Sequence, residues 1–397
     1  MAAKEELTRF RSEVVEFIER ELPVALSNVS TIRGAFDEEG PESAHSDPSL
    51  KKAKGEWREA LRKKGWLVPA WPTKYGGGGL GPAHQFILID EFIKHNAPRF
   101  FDMGLGMVGP TIISHATEEQ KNRMLPPILS GENEWCELFS EPAAGSDLAG
   151  LKCRAVKHGD EYVVNGQKIW TTYANRANWG LLMARTNPEA PRHRGISMLR
   201  VNMHAPGVTV RRIQNLTDHE FNEVFFEDVR VPANDLIGEE GRGFYYLMSL
   251  LDTERSAVSQ VATIERTLDS LFQLARSPNI PPLSNAARTE LVNRAMEVEV
   301  LRGLSQGVAE LQFQGKVPVH QASVLKLYHT ELAQRLAATG MKLIETHGLL
   351  FRGEKHAPLD GMIAQQYLYA STLTLQVGTS EIQRNIIATR GLGLPRG

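Results

Sequence analysis

The chain is poor in cysteine: among 397 residues only Cys136 and Cys153 occur. Two thiols cannot build a disulfide framework, and they lack the spacing of a zinc site. A reducing compartment is the simpler setting, and a cytoplasmic protein is expected. Positive charge is not in excess either. The 45 lysines and arginines stand against 47 aspartates and glutamates, for a formal net charge of −2. Nothing in that balance coats a phosphate backbone, so nucleic acid is not an expected partner. Long apolar runs are missing: no stretch approaches the ~20 apolar residues that cross a bilayer. Near the N-terminus, Glu5 and Glu6 stand where a secretory signal needs positive charge followed by an apolar run. The 12 histidines are scattered without metal-ligand spacing, so no metal is expected. The tract Gly76–Gly81 formally matches G-x-G-x-x-G, but it lies in a proline-flanked loop with no strand before it. A dinucleotide site is therefore not expected there, and no Walker A sequence occurs. Internal repeats and low-complexity tracts are absent as well.

What is present describes a soluble globular protein, with 42 % hydrophobic and 23 % charged residues. At ~150 residues per domain the length fits two or three domains. The periodicity changes twice. Residues 1–131 read as helical: Trp57, Leu61 and Trp66 recur at near-helical spacing, and Phe86, Ile89 and Ile93 share one face. Thr117 and Gln120 fit a capping box at a helix start. Residues 132–237 lose the helical period. EYVV, Asn165-Gly166 and QKIWTT read as a hairpin, because Asn-Gly supplies the positive φ angles of a type I′ turn. WGLLMART, GISMLRV, GVTVRRI and EVFFEDVRV follow as strands of a small β-barrel or sandwich. Residues 238–397 return to long helical runs. GFYYLMSLLDTERSAVSQVATIERTLDSLFQLA fits one helix, and three more follow, which makes a helix bundle.

Three features carry chemistry. In FSEPAAGSDLAG, Ser140, Gly145, Ser146 and Asp147 form a loop of small residues at the entry to the β block. Its N–H groups and hydroxyls suit phosphate or ring carbonyl oxygens, and it equally suits a plain linker. Trp170, with Thr171 and Thr172, closes a strand. Such a tryptophan stacks on a planar cofactor or fills a core. Glu254 stands in a stripe of Leu247, Leu251, Val258 and Val261 along one helix face. A carboxylate there is either a general base with a raised pKa or one half of a buried ion pair.

Taken together and in order, these residues resemble the acyl-CoA dehydrogenase family. The markers are WPTKYGGGGL, GPTIISHATEEQKNRMLPPILSGE, FSEPAAGSDLAGL, YVVNGQKIWTT, HEFNEVFFEDVRVP, IGEEGRGF, LDTERS and GTSEIQRNIIATRGLGLPR. The resemblance covers nearly the whole chain. It implies a mainly α protein with a central β-domain: an N-terminal helical domain (1–131), a middle β-barrel domain (132–237) and a C-terminal four-helix bundle (238–397). FAD is the implied cofactor, acyl-CoA the substrate and an electron-transfer flavoprotein the electron acceptor. The reaction is α,β-desaturation: a carboxylate takes the pro-R α-proton and the β-hydrogen leaves as hydride to flavin N5. By resemblance Ser140 faces the flavin pyrimidine edge, Ser146 the pyrophosphate and the CoA, Trp170 the isoalloxazine and Thr172 its N5. Thr379 and Glu381 match contacts to the adenosine half, and Arg255 an arginine at the CoA entrance.

Most members carry the base directly before the Gly-Thr of the terminal motif, where this chain has Val377. A minority, including isovaleryl-CoA dehydrogenase and bacterial enzymes for branched or sterol-derived chains, carry it on the first long helix of the bundle. Glu254 in LDTERS stands there, so stripe and resemblance select the same residue. Val377 and Gly378 remain as substrate contacts, with the Val377 N–H on the thioester oxygen. Two elements that reach a neighbouring subunit's FAD depart from the family pattern. Only Arg276 remains of an Arg-x-x-Phe-Gly sequence, and only Gly348 of a diglycine turn. Either a homotetramer or an α₂β₂ tetramer with a second acyl-CoA dehydrogenase subunit is implied, the erosion favouring the latter. A branched, cyclic or sterol side-chain acyl-CoA is the expected substrate. An acyl-CoA oxidase and a non-catalytic subunit are the competing functions.

Overall fold

A computed structural model describes residues 2–27, 48–100, 102–217, 219–254, 258–278 and 282–395. The side chains of 2–4, 27, 251–254 and 258–260 lie outside that description. In chain order the helices before the sheet are α1 (Ala2–Glu21), α2 (Val24–Ser27), α3 (Pro48–Lys64), α4 (Pro82–Lys94), α5 (Gly109–His115) and α6 (Glu118–Ser130). The strands are β1 (Trp135–Leu138), β2 (Arg154–His158), β3 (Glu161–Thr172), β4 (Trp179–Arg185), β5 (Ile196–Asn202), β6 (Val208–Ile213) and β7 (Phe221–Pro232). Helices α7 (Gly243–Glu254), α8 (Val258–Ala275), α9 (Asn285–Phe313), α10 (Val319–Ile344), α11 (Met362–Leu373) and α12 (Ser380–Ile386) follow. The mainly α composition, with the strands in the middle of the chain, is as expected. Contacts divide the chain into two units: residues 1–57, 80–99 and 254–397 form one, and 58–79 and 100–253 the other.

In the first unit, α8 to α11 bury apolar stripes against one another. Leu271, Leu301, Leu325, Leu332 and Ile363 are fully buried at their centre. A Cβ at Gly340 would stand 2.8 Å from Ile363, so only glycine lets α10 and α11 approach this closely. Trp57 is fully buried beside Phe17 and Phe92, and its Nε1 donates to the Pro98 carbonyl at 2.7 Å. Glu91 is buried on α4, where Arg11 of α1 and Lys94 neutralise it. The buried face of α4 is Ile87, Leu88, Glu91 and Phe92, while Phe86, Ile89 and Ile93 are half-buried. The expected face was displaced because α4 is apolar around most of its circumference, so periodicity alone does not select a side.

The second unit is built on the sheet. Strands β2, β3, β7 and β6 pair antiparallel in that order, β1 lies parallel to β4, and β5 runs antiparallel to β4. The sheet curls around Leu138, Ala155, Val164, Leu199, Val224 and Val229, which are shielded from water. Thr117 and Gln120 make the expected capping box at α6, each side chain bonding the other's backbone N–H.

Three further expectations change, at Asn165-Gly166, at the end of α3 and at α11. Asn165-Gly166 is not a turn: it lies inside β3, and the hairpin turns at Gly159-Asp160. The Asn165 side chain bonds Asp228, and a Cβ at Gly166 would stand 2.7 Å from Cys153, so the dipeptide serves a bulge and a close approach. Helix α3 ends before Trp66, because Gly65 takes a left-handed φ of 76°. Of the single helix expected over residues 243–275, the described parts are helical as α7 and α8, and the join at Arg255–Ala257 lies outside the described residues. Helix α11 was not expected, since MIAQQYLYASTL offers little contrast between its faces.

No metal-ligand cluster occurs among the described residues, and no described helix is long and apolar enough to cross a membrane. Both cysteines are free and buried, and burial pushes the Cys153 thiol up to about 11. Neither thiol is therefore expected to react with a water-soluble disulfide reagent at pH 8, and both should titrate after unfolding. A thiol that reacts promptly in the folded protein would contradict this packing.

Candidate active site

Within the second unit, strand β3 carries a bulge. Its register against β7 runs to Lys168 opposite Val224 and resumes at Thr171 opposite Asn222. The extra residue throws Trp170 out of the sheet with φ 60°, leaving it 56 % exposed with its ring edge-to-face against Phe221. A non-glycine residue in that region costs about 1–3 kcal/mol and persists only where its surroundings over-determine it. An exposed indole also gains nothing from burial. Both facts mark the position as serving something outside the fold.

The surroundings are a buried ion pair. Lys168, two residues before the tryptophan, is fully buried; its Nζ donates to the Phe139 carbonyl at 2.9 Å and to Glu141 Oε1 at 2.8 Å. Burial pushes its pKa down, and the Glu141 carboxylate opposes this. That carboxylate also accepts the Lys152 and Cys153 N–H groups at 2.6 and 2.8 Å. Ile169 N donates to the Ser140 carbonyl at 3.0 Å. The small-residue loop is thereby tied to the bulge, with Ser140 half-buried and Ser146 exposed. Asp147 of the same loop pairs with Arg192. Thr172, half-buried, follows the bulge opposite Phe221.

Next to Trp170 the sheet leaves polar atoms without partners. Thr171 Oγ1 and Asn222 Oδ1 are buried and make no hydrogen bond among the described residues. Such atoms are rare unless a ligand or water completes them. Sequence reading named Thr171 beside Trp170 but gave the flavin contact to Thr172. The missed signal was strand alternation, which turns Thr171 inward once Trp170 is extruded.

In the first unit, Val377, Gly378, Thr379 and Glu381 come together at the start of α12. Val377 takes φ 51° and Gly378 φ 87°. A β-branched residue in the left-handed region is a genuine outlier. The Val377 N–H makes no hydrogen bond among the described residues. Thr379 caps α12, its hydroxyl accepting the Ile382 N–H at 3.3 Å. Glu381 is exposed, and its own backbone N–H and the Thr379 hydroxyl hold its carboxyl below the usual range. It lines a cavity of about 380 Å³ with Glu331, Arg335, Ser380 and Arg384.

The remaining expected residues stand apart. Arg276 is exposed beside the Phe272 ring, 5.9 Å from its centroid. Gly348 is buried, and a Cβ there would meet Met341 at 2.8 Å. Glu345 opens the same turn with φ 47°, a conformation that glycine adopts without strain. Glu254 is the last residue of α7; its side chain, and Arg255 as a whole, lie outside the described residues.

An exposed indole on a strained bulge, flanked by unpartnered polar atoms, fits a flat ring with polar edges. The comparisons identify the class. Residues 4–132, 136–229 and 241–392 match the models of the N-terminal, middle and C-terminal domains of acyl-CoA dehydrogenases. Acyl-CoA dehydrogenase IpdE1 of Mycolicibacterium smegmatis is 33 % identical, with 98 % of each chain covered. Acyl-CoA dehydrogenase FadE34 of Mycobacterium tuberculosis is 34 % identical over 96 % of this chain, which spans 51 % of that longer protein. A solved structure named "Tcur3481-Tcur3483 steroid ACAD" superposes with a TM-score of 0.83 at 30 % identity, covering 99 % of this chain and 98 % of that one. The chain belongs to the acyl-CoA dehydrogenase family, FAD-dependent oxidoreductases.

The buried pair gives a direct test. Lys168→Met leaves the Glu141 carboxylate buried and unpaired, and is expected to lower the unfolding free energy by about 3–5 kcal/mol in urea titration. Lys168→Met with Glu141→Gln, which removes the unpaired charge and keeps an acceptor for the Lys152 and Cys153 N–H groups, should recover part of that loss. A single variant within about 1 kcal/mol of the parent would contradict the pairing.

Proposed function

We propose that the chain catalyses α,β-dehydrogenation of an acyl-CoA thioester with Glu254 as the base, using the domain division 1–131, 132–237 and 238–397. The observation that carries the assignment is Val377 at the exposed turn before Gly378-Thr379. No side chain at that position accepts a proton, while Glu254 ends α7, seven residues after the buried Leu247 on the same helix. An apolar setting raises a carboxyl pKa towards the operating pH, where a general base works best.

FAD, when bound, supplies the acceptor for the hydride that leaves the β-carbon. Trp170 offers its face to the flavin ring, with Ser140, Thr171 and Thr172 as hydroxyls for the polar edge. Ser146 serves the pyrophosphate and the CoA, Thr379 and Glu381 the adenosine half, and Arg255 the CoA entrance. The Val377 N–H takes the thioester oxygen, which lowers the α-proton's pKa by stabilising charge where it develops. Electrons pass on to an electron-transfer flavoprotein in a cytoplasmic setting. The steroid named for the similar solved structure supports a branched, cyclic or sterol side-chain acyl group. Glu254→Gln should keep FAD, read by flavin absorbance, and lose about 10²–10⁴-fold in turnover of steroid and branched acyl-CoA thioesters. Unchanged turnover with any of them removes Glu254 from the mechanism.

Arg276 and Gly348, the remnants of the elements lent to a neighbouring FAD, support an α₂β₂ assembly with a second acyl-CoA dehydrogenase subunit. The similar steroid structure, whose name joins two components, supports the same assembly. Expressed alone, the chain should fail to form a stable tetramer with one FAD per chain, measured by sedimentation and flavin content. A homotetramer with full flavin would overturn the heteromer.

A further inference from the structure

The Val377–Gly378 turn is strained, exposed and nonetheless fixed. Its two carbonyls show what fixes it. The Gly378 carbonyl accepts Lys326 Nζ at 2.7 Å and Gln383 Nε2 at 3.2 Å, and the Val377 carbonyl accepts the same Nε2 at 3.1 Å. Gln383 is fully buried and Lys326 is 8 % exposed. Gln383 Oε1 is buried without a partner among the described residues, so the amide is turned to give both carbonyls a donor while its own acceptor is left unsatisfied. The lysine bond is charge-assisted, roughly twice as strong as a neutral one. His329, one helical turn along α10 from Lys326, is buried as well; burial, and then the lysine charge, push its pKa down to about 4, so the ring stays neutral beside the ammonium. The backbone is completed by Ser380 N on the Thr374 carbonyl at 2.9 Å.

We propose that Lys326 and Gln383 are positioning residues that hold Val377 in its left-handed conformation and so aim its backbone N–H at the substrate thioester. The clamp rests on the reading of that turn as the thioester site. Neither side chain touches the thioester. They grip the carbonyls that follow the Val377 N–H, which narrows the φ and ψ open to Val377 and with them the orientations of the preceding plane that bears the N–H. The device explains how an N–H donor is preorganised on a residue that ordinarily avoids this conformation. Glycine would adopt the turn freely but would hold it less rigidly.

Two measurements separate the clamp from the reading beneath it. The first needs no substrate. Thermal unfolding of the FAD-loaded protein is followed for Lys326→Met, Val377→Gly and the double variant. If the lysine holds strain, Lys326→Met lowers the melting temperature, and the loss is larger in the Val377→Gly background, because freeing Val377 releases strain that offsets part of the lost bond while glycine has none to release. Equal losses in both backgrounds overturn the clamp. The second measurement reads polarisation of the thioester. The α-protons of an acyl-CoA carrying sulfur in place of the β-carbon exchange with deuterated water without any hydride leaving. Exchange is expected to fall at least about tenfold in Lys326→Met and in Gln383→Leu at saturating ligand and to return in Lys326→Arg. Exchange within twofold of the parent in flavin-loaded Lys326→Met and Gln383→Leu overturns the positioning role, even where the clamp stands. No exchange in the parent protein overturns the thioester site itself. Where Lys326→Met fails to fold, Gln383→Leu and the Val377→Gly double variants carry both tests.

Discussion

The Lys168 ammonium lies wholly out of water and meets one carboxylate, Glu141, and one carbonyl, that of Phe139. Taking such a charge out of solvent is expensive, and only this geometry offsets it. The consequence is mechanical. Glu141 also fixes the backbone at Lys152 and Cys153, so one pair joins the start of the small-residue loop, its far end and strand β3. The Trp170 bulge begins directly beyond that joint. Loops are ordinarily mobile and variable; here the loop bearing Ser140 and Ser146 is tied to a rigid sheet by a charge that has no second option. A site for a large planar ligand benefits from being finished before the ligand arrives, since the ordering cost is met during folding.

The first unit repeats this logic with different parts. Val377 is as strained as Trp170, and as exposed residues both contribute little to their own units' cores. At Val377 buried Lys326 and Gln383 bond the turn's own carbonyls, and at Trp170 buried Asn222 donates to the Thr171 carbonyl at 3.0 Å while Lys168 anchors the strand just before the bulge. Strain at the surface is thus held by hydrogen bonds beneath it, which is how sparsely populated backbone conformations persist. The family resemblance explains which residue types stand at these positions. The physical account explains why a valine tolerates a conformation suited to glycine.

Much of the fold was legible because hydrophobic period and helix caps are local. The three-part division of helix, strand and helix, the capping box at Thr117 and the strands β4 to β7 all follow from nearest neighbours in sequence. Misreadings arose where a local signal had a distant cause. Asn165-Gly166 looks like a turn from its own composition, yet Asp228 and Cys153, far along the chain, determine its use. Helix α11 lacked a one-sided pattern because apolar residues stand on its exposed side as well, as at Tyr367, while its buried side is Met362, Ile363, Ala364 and Ala370. The candidate site was legible as residue types: Ser140, Trp170, Val377 and Glu254 were each selected from motif and stripe. Lys168, Lys326 and Gln383 were not, because nothing in a single sequence says that a lysine or glutamine is buried.

The sequence by itself determined the class of the protein, the alternation of its domains and the absence of a carboxylate at position 377, since these depend only on residue identity and order. The tertiary structure decided what strains and what holds. Positive φ at Trp170 and Val377, the orphaned Thr171 hydroxyl, and the lysines that reach Glu141 and Gly378 are products of which groups meet after folding. Burial sets the strength of a charge and the cost of an unpaired polar atom. Burial is a property of the folded chain, and no residue carries it alone.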